Sequence, residues 1–433
     1  MRPASFRRAL LGAVAVAASS HQAAAQLANA STAATGLGGA FTARAQGYNA
    51  VYWNPANLAM PGNPGFSLTI AAFDGQAGLR PIDASKLAPY SGKLVPSTIR
   101  EQWLVDVEAE GAQRGNAGGG VTALGLSLGS FALQVNTKVV TNMDMSPGMT
   151  EAILFGNAGR DTINNTVHNL GLAGTGLGAS VYSAGGLSFG MGLPLIPLPN
   201  FKIGVTAKYI YGHAMVLAQD QSSTIGNDVT IEIPAIRTDT LTIRNGDKSG
   251  GGVGLDLGAA WTLPGFRFGA SLQNIVNTFK WDTTTLVLSH GSAIFNSTGA
   301  AISGDSLEVQ YPYSSAPQAL KDQVVAQKFK PVLAAGLSFD WLPKITVSAD
   351  LRQQVGGGIE RGPSSLVAAG AEVRWIPFIP LRGGVQMMTG GFGLSGGVGL
   401  RLLGFEAGLA GYVRTRDGSQ ESGATINVLS IRP

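Results

Sequence analysis

The sequence predicts an all-β protein, a transmembrane antiparallel β-barrel of about 14 strands with an N-terminal hatch segment inside the lumen. The composition is apolar, with 13% charged residues and 61 glycines in 433 residues, which argues against several soluble domains. Outside the leader, no window of about 18 apolar residues occurs, which excludes membrane-spanning helices. Apolar and polar residues alternate in segment after segment. A closed barrel is the remaining membrane structure that satisfies every backbone group.

Residues 1–25 are expected to be a cleaved signal peptide. Arg2, Arg7 and Arg8 precede an apolar run from Ala9 to Ala18, and Ala23-Ala24-Ala25 is a small-residue cleavage site. The Arg7-Arg8 pair also fits a twin-arginine signal, but that route exports folded proteins and a barrel crosses the inner membrane unfolded. The general secretory route is therefore favoured.

Residues 26–63 are expected to form the hatch. They are too short and too interrupted for a domain, yet they contain an aromatic cluster that needs a protected place. Closely spaced glycines allow turns with positive φ, and an Asn-Pro pair fixes a turn after the aromatic residues. The residues assigned to the hatch are Gly36, Gly38, Gly39, Tyr52, Trp53, Asn54 and Pro55.

Residues 64–433 are expected to form the barrel. Its strand candidates lie near 64–73, 118–128, 131–142, 174–191, 201–216, 250–262, 266–276, 329–341, 345–353, 365–375, 381–388, 393–402, 405–414 and 423–432. Very short connections such as Gly129-Ser130 and Leu403-Gly404 alternate with long ones such as 74–117 and 277–328. This is typical of bacterial outer-membrane barrels, in which the short turns face the periplasm.

Aromatic residues recur near the strand ends that flank the short turns. Such residues suit an interfacial girdle on the periplasmic side of an outer-membrane barrel, although ordinary packing would explain any single one. They are Trp261, Phe266, Trp341, Trp375, Phe378 and Phe405.

Charged residues of both signs fall on the predicted inward faces of the later strands. They are Asp350, Arg352, Glu372, Arg374, Arg382, Arg401 and Glu406. Across the turn Leu403-Gly404, Arg401 and Glu406 should be cross-strand partners. The set predicts either an ion-pair network that fills the barrel and holds the hatch, which is favoured, or a polar ring that selects a solute.

Two long connections carry further patterns. Residues 97–112 have the spacing of a short amphipathic helix over the barrel mouth. Residues 277–328 contain aromatic residues, of which Phe279 and Trp281 are candidate ligand contacts. Extracellular strands folded over the mouth would need the same residue types, so both interpretations stay open.

No enzyme, metal site or cofactor is expected. The three Gly-x-Ser-x-Gly matches lie inside alternating strand patterns, whereas a hydrolase elbow joins a strand to a helix. His168, His213 and His290 lack ligand spacing, and the chain has no cysteine. The net charge of +4 is small and dispersed, so no nucleic-acid partner is predicted.

Several short motifs carry a resemblance to a known family. They are Gly36-Leu37-Gly38-Gly39-Ala40, Tyr52-Trp53-Asn54-Pro55-Ala56, Gly204–Gly212, Gly254–Ala259, Ser271–Ile275 and Gly370–Arg374. In their order and spacing they resemble the FadL superfamily of bacterial outer-membrane barrels, especially its uncharacterised members. Ala45–Asn49 departs from an acidic pair found in many members, and Ile431-Arg432-Pro433 departs from the usual aromatic end.

The resemblance implies a barrel surrounded by outer-membrane lipid. It implies passive uptake of a hydrophobic solute of the fatty-acid or hydrocarbon type, with the hatch gating a path and a side opening releasing the solute. The alternative is a barrel that transports nothing and binds a secretion or surface protein, as PorV-type members do.

Overall fold

The computed structural model of the protein describes residues 30–156, 169–192, 199–226, 228–295, 301–305, 309–356, 364–416 and 419–432. The expected signal peptide, residues 1–25, lies outside the described residues. None of the helices in the described ranges is both long and apolar enough to cross a membrane.

Within these ranges the chain forms fourteen long antiparallel strands that close into a barrel. Each strand pairs with the next, and the last strand pairs with the first, with Phe73 opposite Ile426. The predicted all-β barrel is confirmed. The strands are β1 (Phe66–Arg80), β2 (Gln113–Leu128), β3 (Phe131–Met145), β4 (Gly176–Gly192), β5 (Phe201–Gln219), β6 (Gly250–Leu263), β7 (Phe266–Asn277), β8 (Val332–Leu342), β9 (Ile345–Gln354), β10 (Ser365–Ile376), β11 (Ile379–Met388), β12 (Gly391–Leu402), β13 (Phe405–Arg416) and β14 (Ser419–Ile431).

The barrel is apolar outside and polar inside. In β5, Val205 and Tyr209 are 37% and 47% exposed, whereas Thr206 and Lys208 between them are buried. Because strand side chains alternate between the two faces, the alternating sequence places apolar residues on the outer face and polar residues on the inner face. Other exposed apolar side chains of the outer face are Leu257, Leu333, Leu381, Val385, Leu394, Val398, Leu409 and Val413.

The connections differ between the two ends of the barrel. One end has tight turns such as Gly129-Ser130 and Leu403-Gly404, and the predicted girdle residues lie beside these turns. Five of the six are exposed, and Trp261 is half-buried with its indole Nε1 donating to the carbonyl of Pro199 at 3.1 Å. The other end has the long connections, although β11 and β12 are joined there by Thr389-Gly390 alone.

The long connections contain helices and additional strands. The predicted helix over 97–112 is present as Ser97–Glu110, and strands Val229–Thr238 and Leu286–Phe295 pair antiparallel beyond the barrel. The helices in the described ranges are α1 (Thr32–Gly36), α2 (Ala84–Leu87), α3 (Ser97–Glu110), α4 (Pro147–Phe155), α5 (Thr240–Asn245) and α6 (Gln318–Ala326), with 3-10 helices at Gly47–Tyr52, Pro55–Ala59, Ala88–Tyr90, Thr283–Thr285 and Tyr313–Ser315. The other short strands are Leu170–Gly171, Thr224–Ile225, Lys280–Trp281, Ala301–Asp305 and Gln310–Pro312.

Residues 30–63, called the N-terminal segment below, lie inside the ring of strands. The Tyr52 hydroxyl donates to the carbonyl of Ala184 in β4 at 2.9 Å. The backbone N–H of Thr42 donates to the Asp350 carboxylate in β9 at 2.7 Å. The segment therefore bridges well-separated strands of the wall across the lumen.

Glycines of the wall let the backbone of this segment approach the strands. A Cβ on Gly204 would lie 2.3 Å from the carbonyl carbon of Pro55, and one on Gly384 would lie 2.4 Å from that of Leu37. Both distances are far below van der Waals contact, so only glycine fits. At other wall glycines a Cβ would lie between 2.2 and 3.3 Å from the nearest backbone or side-chain atom of the segment; they are Gly125, Gly186, Gly190, Gly258, Gly269, Gly336, Gly370, Gly397 and Gly408.

We expect Gly384→Val to loosen the N-terminal segment, because the added side chain overlaps the backbone of Leu37. Overpacking of this kind destabilises by about 1–3 kcal/mol. The matched control is Gly383→Val, where a Cβ meets nothing within 4 Å. The measurement is the rate at which a protease cleaves the N-terminal segment of the detergent-extracted barrel. Faster cleavage in Gly384→Val alone is expected, and equal rates in the two variants would contradict the packing argument.

Candidate functional site

The N-terminal segment is built by local sequence features. Ser31 caps α1 by accepting from the N–H of Ala34 at 3.3 Å. Gly38 and Gly39 follow α1 with φ of 67° and 89°, which non-glycine residues rarely adopt. The two positions therefore provide the turn that the sequence predicts for them.

The second half of the segment turns at Asn54 and Pro55. Asn54 caps the 3-10 helix Pro55–Ala59 through its Oδ1, and its Nδ2 donates to the carbonyl of Ala259 in β6 at 3.0 Å. Asn57 joins the two halves of the segment, because its Nδ2 donates to the carbonyls of Thr42 and Ala45, both at 2.9 Å. The predicted hatch residues are thus brought together inside the barrel.

Five of the seven predicted lumen charges form one ion-pair network, in which Glu372 and Arg382 are buried and Arg374 and Arg401 are partly exposed. Glu372 lies 2.8 Å from Arg382, and Glu406 lies 3.4 Å from Arg382 and 3.2 Å from Arg401. Arg401 and Glu406 are directly opposite in the strand register, as the tight turn predicts. The N-terminal segment adds Arg44, whose guanidinium lies 2.9 Å from Glu372. Sequence reasoning missed Arg44, because no local pattern indicates which wall it faces.

The fifth wall charge is Arg374, which lies 3.6 Å from Glu372. The remaining two predicted charges act apart from the network. Asp350 accepts from the backbone N–H groups of the N-terminal segment, and the Arg352 guanidinium lies 4.3 Å from the centre of the Trp53 ring. All seven charges therefore face inward, and several bind the segment directly.

A second buried polar group involves an irregularity in β7. Asn274 has φ of 54°, and its backbone N–H donates to Asp256 at 2.6 Å. The Lys208 ammonium lies 2.6 Å from both the Asp256 carboxylate and the Asn274 amide oxygen. The preceding residue, Gln273, donates to the carbonyl of Tyr52 at 2.9 Å. This group connects the irregular part of the wall to the N-terminal segment.

Above the N-terminal segment, apolar side chains of the upper wall and of the long connections form one buried cluster. Phe279 and Trp281, the two predicted ligand contacts, are 3% and 4% exposed and pack edge to face at 5.5 Å. The Phe329 ring lies 5.1 Å from Phe279 and 5.0 Å from Tyr182 of β4. This set is called the apolar cluster, and its largest members are Tyr52, Tyr182, Ile210, Met215, Leu217, Phe279, Trp281, Leu286, Leu288, Leu320, Val324 and Phe329.

The connection that carries Phe279 and Trp281 folds along the inner face of the wall. The short strand Lys280–Trp281 pairs with the start of β6, and the Trp281 ring lies where Gly212 has no side chain. The Trp281 indole Nε1 is buried without a hydrogen-bond partner in the described part of the chain. The connection thus contributes both folded-over strands and an apolar lining, the two interpretations that the sequence leaves open.

The first long connection is fixed to the last hairpin through Asp83. Its carboxylate caps α2 by accepting from Lys86, and it accepts from the N–H of Gln420 at 2.7 Å. Burial acts to raise the pKa of Asp83, but hydrogen bonds from Ser85, Lys86 and Gln420 hold this pKa below its ordinary value. Asp83 is therefore a charged anchor at the end of the barrel that carries the long connections.

In the described ranges, no three His, Cys, Asp or Glu side chains are grouped as metal ligands. The absence of a metal site and of an enzyme activity stays a prediction.

Comparison with solved structures identifies the fold. The Ralstonia pickettii toluene transporter TbuX matches with a TM-score of 0.51 and 12% identity, over 94% of this chain and 99% of that chain. The P. putida toluene transporter TodX matches with a TM-score of 0.50 and 11% identity, over the same shares. A TodX deltaS2S3 mutant, a monoaromatic hydrocarbon channel, gives a TM-score of 0.51 and 10% identity over 89% and 95%.

These neighbours share the barrel fold of this chain, so the fold implied by the sequence resemblance is confirmed. No family model matches the sequence. No curated protein sequence matches it either. At such low identity the likeness establishes the fold.

We expect Glu372→Gln to destabilise the protein by about 3–5 kcal/mol, the usual cost of removing one partner of a buried ion pair. The substitution removes the carboxylate that pairs with both Arg44 and Arg382, and these buried guanidinium groups then lack a negatively charged partner at that position. Glu110→Gln is the control, because the Glu110–Arg114 pair is 3.5 Å long and half-exposed and should contribute less than about 1 kcal/mol. Urea unfolding of both variants in detergent measures the difference, and equal midpoints would contradict a structural role for the network.

Proposed function

We propose that the protein is a bacterial outer-membrane barrel that transports hydrophobic compounds passively, of the hydrocarbon or fatty-acid type. The observation that carries this proposal is the apolar cluster inside an otherwise polar lumen. A water-filled pore would need no such filling, whereas an apolar solute gains about 25 cal/mol for each Å² that it removes from water. The cluster therefore offers a favourable environment to an apolar solute that enters from the long connections.

The shared fold supports the proposal. TbuX and TodX are toluene transporters, and this chain has the same barrel fold over almost its whole length. The unpaired Trp281 N–H adds a donor inside the cluster. Such a donor could point at the π face of an aromatic solute, which accepts a weak hydrogen bond.

We further propose that the N-terminal segment is the hatch that gates the path. Its backbone packs against wall glycines in most of the strands, so the lumen is closed when the segment is in place. On the side of β9 to β11 two buried carboxylates hold it: Asp350 accepts from its backbone, and Glu372 pairs with Arg44. Apolar side chains of the segment also pack on Leu366 and Ala368 of β10. A change in these contacts would let the segment shift without opening the strand pairing of the wall.

A side opening for release is proposed at the irregular part of β7. The pairing of β7 with β8 ends at Gln273 opposite Val332, whereas its pairing with β6 continues to Asn277. Ile275 and Val276, which follow the irregularity, are exposed apolar residues. A solute that left here would enter lipid and would avoid the charged lower lumen. Gln273 couples this point to the hatch through Tyr52.

The location proposed for the protein is the outer membrane, reached after cleavage of residues 1–25. Outer-membrane lipid would contact the exposed apolar face. The second candidate, a scaffold for a secretion or surface protein, transports nothing, so it predicts that a change in the hatch leaves solute uptake unaltered. The following experiment separates the two.

We expect Asn54→Ala to raise the rate of toluene uptake into proteoliposomes several-fold. The variant loses the cap of Pro55–Ala59 and the bond to Ala259, which typically contribute about 1 kcal/mol each. Asn142→Ala, at an exposed position of β3, is the control and should transport at the wild-type rate. Heat-dependent gel mobility would establish that each variant has assembled. An assembled Asn54→Ala barrel with unchanged uptake of toluene and of fatty acid would contradict gating by the hatch.

A further inference from the structure

Below the N-terminal segment, at the end with the tight turns, the barrel contains a polar cavity of about 540 Å³. Its volume lies in the range of small-molecule sites, roughly 300–1,000 Å³. The N-terminal segment forms its roof, and the ion-pair network forms one side. This cavity is separate from the apolar cluster, which lies on the opposite side of the segment.

Arginines outnumber carboxylates around this cavity. The arginines that line it are Arg44, Arg267, Arg374, Arg401 and Arg432, and the carboxylates are Asp340, Glu372 and Glu406. The lining therefore carries a net charge of +2, and the buried Arg382 behind it adds a further positive charge. Such an excess in a partly enclosed site attracts anions, because the low dielectric surroundings screen charge poorly.

The ion-pair network also has more arginine donors than carboxylate acceptors. Glu372 and Glu406 are shared by Arg44, Arg374, Arg382 and Arg401. Four buried guanidinium nitrogens have no hydrogen-bond partner among the described residues: Arg44 Nη1, Arg374 Nε, Arg382 Nη1 and Arg401 Nε. Two carboxylates therefore serve four arginines, and the network keeps an excess of positive charge beside the cavity.

We propose that this cavity is a binding site for a small organic anion that carries carboxylate groups. Guanidinium groups bind carboxylates with paired, planar hydrogen bonds. Arg374 and Arg401 line the cavity, and their side chains are 41% and 35% exposed, so both can be reached from it. The excess charge of +2 suits a dianion. The site is distinct from the proposed path for hydrophobic compounds, and its existence does not depend on that function.

Titration of the detergent-extracted full barrel with succinate tests this proposal directly. Calorimetry is expected to give saturable binding of succinate that weakens with added salt, since the site is charged. Succinamide, the neutral analogue, should not bind. Arg401→Gln should weaken succinate binding about tenfold, because it removes one charge-assisted donor. Arg374→Gln provides the same test if the first variant fails to assemble.

Arg114→Gln is the matched control, because Arg114 lies near the opposite end of the barrel and also pairs with carboxylates. It should leave the dissociation constant for succinate unchanged. The proposal is overturned by absent or unsaturable binding of succinate, by equal binding of succinamide, or by an equal loss in Arg114→Gln. Tighter binding of inorganic phosphate than of succinate would overturn the assignment to carboxylates. None of these results bears on toluene uptake, so the transport proposal is tested independently by the uptake measurements.

Discussion

The close packing of a peptide backbone against glycines of the barrel wall is the contact on which the other features of the lumen depend. Gly190, Gly204 and Gly258 occupy paired positions in β4, β5 and β6, and together they form a flat surface for Asn54 and Pro55. Any side chain at these positions would push the N-terminal segment away from the wall. With the segment in place, the lumen is divided into an apolar upper part and a charged lower part. The upper part contains buried aliphatic and aromatic side chains. The lower part contains a polar cavity in whose lining arginines outnumber carboxylates.

Buried ion pairs and buried apolar contacts hold the inside of the barrel in different ways. Ion pairs around Glu372 fix the segment in one position, because a charge that loses its partner inside the barrel is costly. The contacts of Phe279 and Trp281 are not directional in this way, so other apolar groups of similar size can replace them. A lumen that needs to close reliably and to admit apolar solutes would use both kinds of contact. Trp53 has one apolar and one charged neighbour: it packs on Phe41 and lies under the Arg352 guanidinium.

Much of the fold could be predicted from the sequence, because strands and tight turns depend on neighbouring residues. The fourteen strand candidates, the helix over 97–112 and the opposition of Arg401 and Glu406 all follow from local spacing. The features that the sequence did not predict depend on contacts between residues far apart in the chain. No local pattern shows that Arg44 reaches Glu372, or that Val229–Thr238 pairs with Leu286–Phe295. Asn274 lies within a motif that carries the family resemblance, but its positive φ and its contacts with Lys208 and Asp256 needed the structure. The roles of the hatch residues and of Phe279 and Trp281 stay predictions.

If the N-terminal segment gates the path, as proposed, a solute crosses only when the segment moves, and a reversible cross-link tests this directly. A Cβ on Gly408 of β13 would lie 3.4 Å from the Cβ of Thr32 in α1, close to the separation of about 3.5–4.5 Å in disulfides. The chain has no cysteine, so Thr32→Cys combined with Gly408→Cys would introduce a single defined pair. Toluene uptake into proteoliposomes would be measured before and after reduction of the same sample. Toluene uptake is expected to be slow in the oxidised form and to return to the wild-type rate on reduction. Equal uptake in the two forms would contradict gating by the segment.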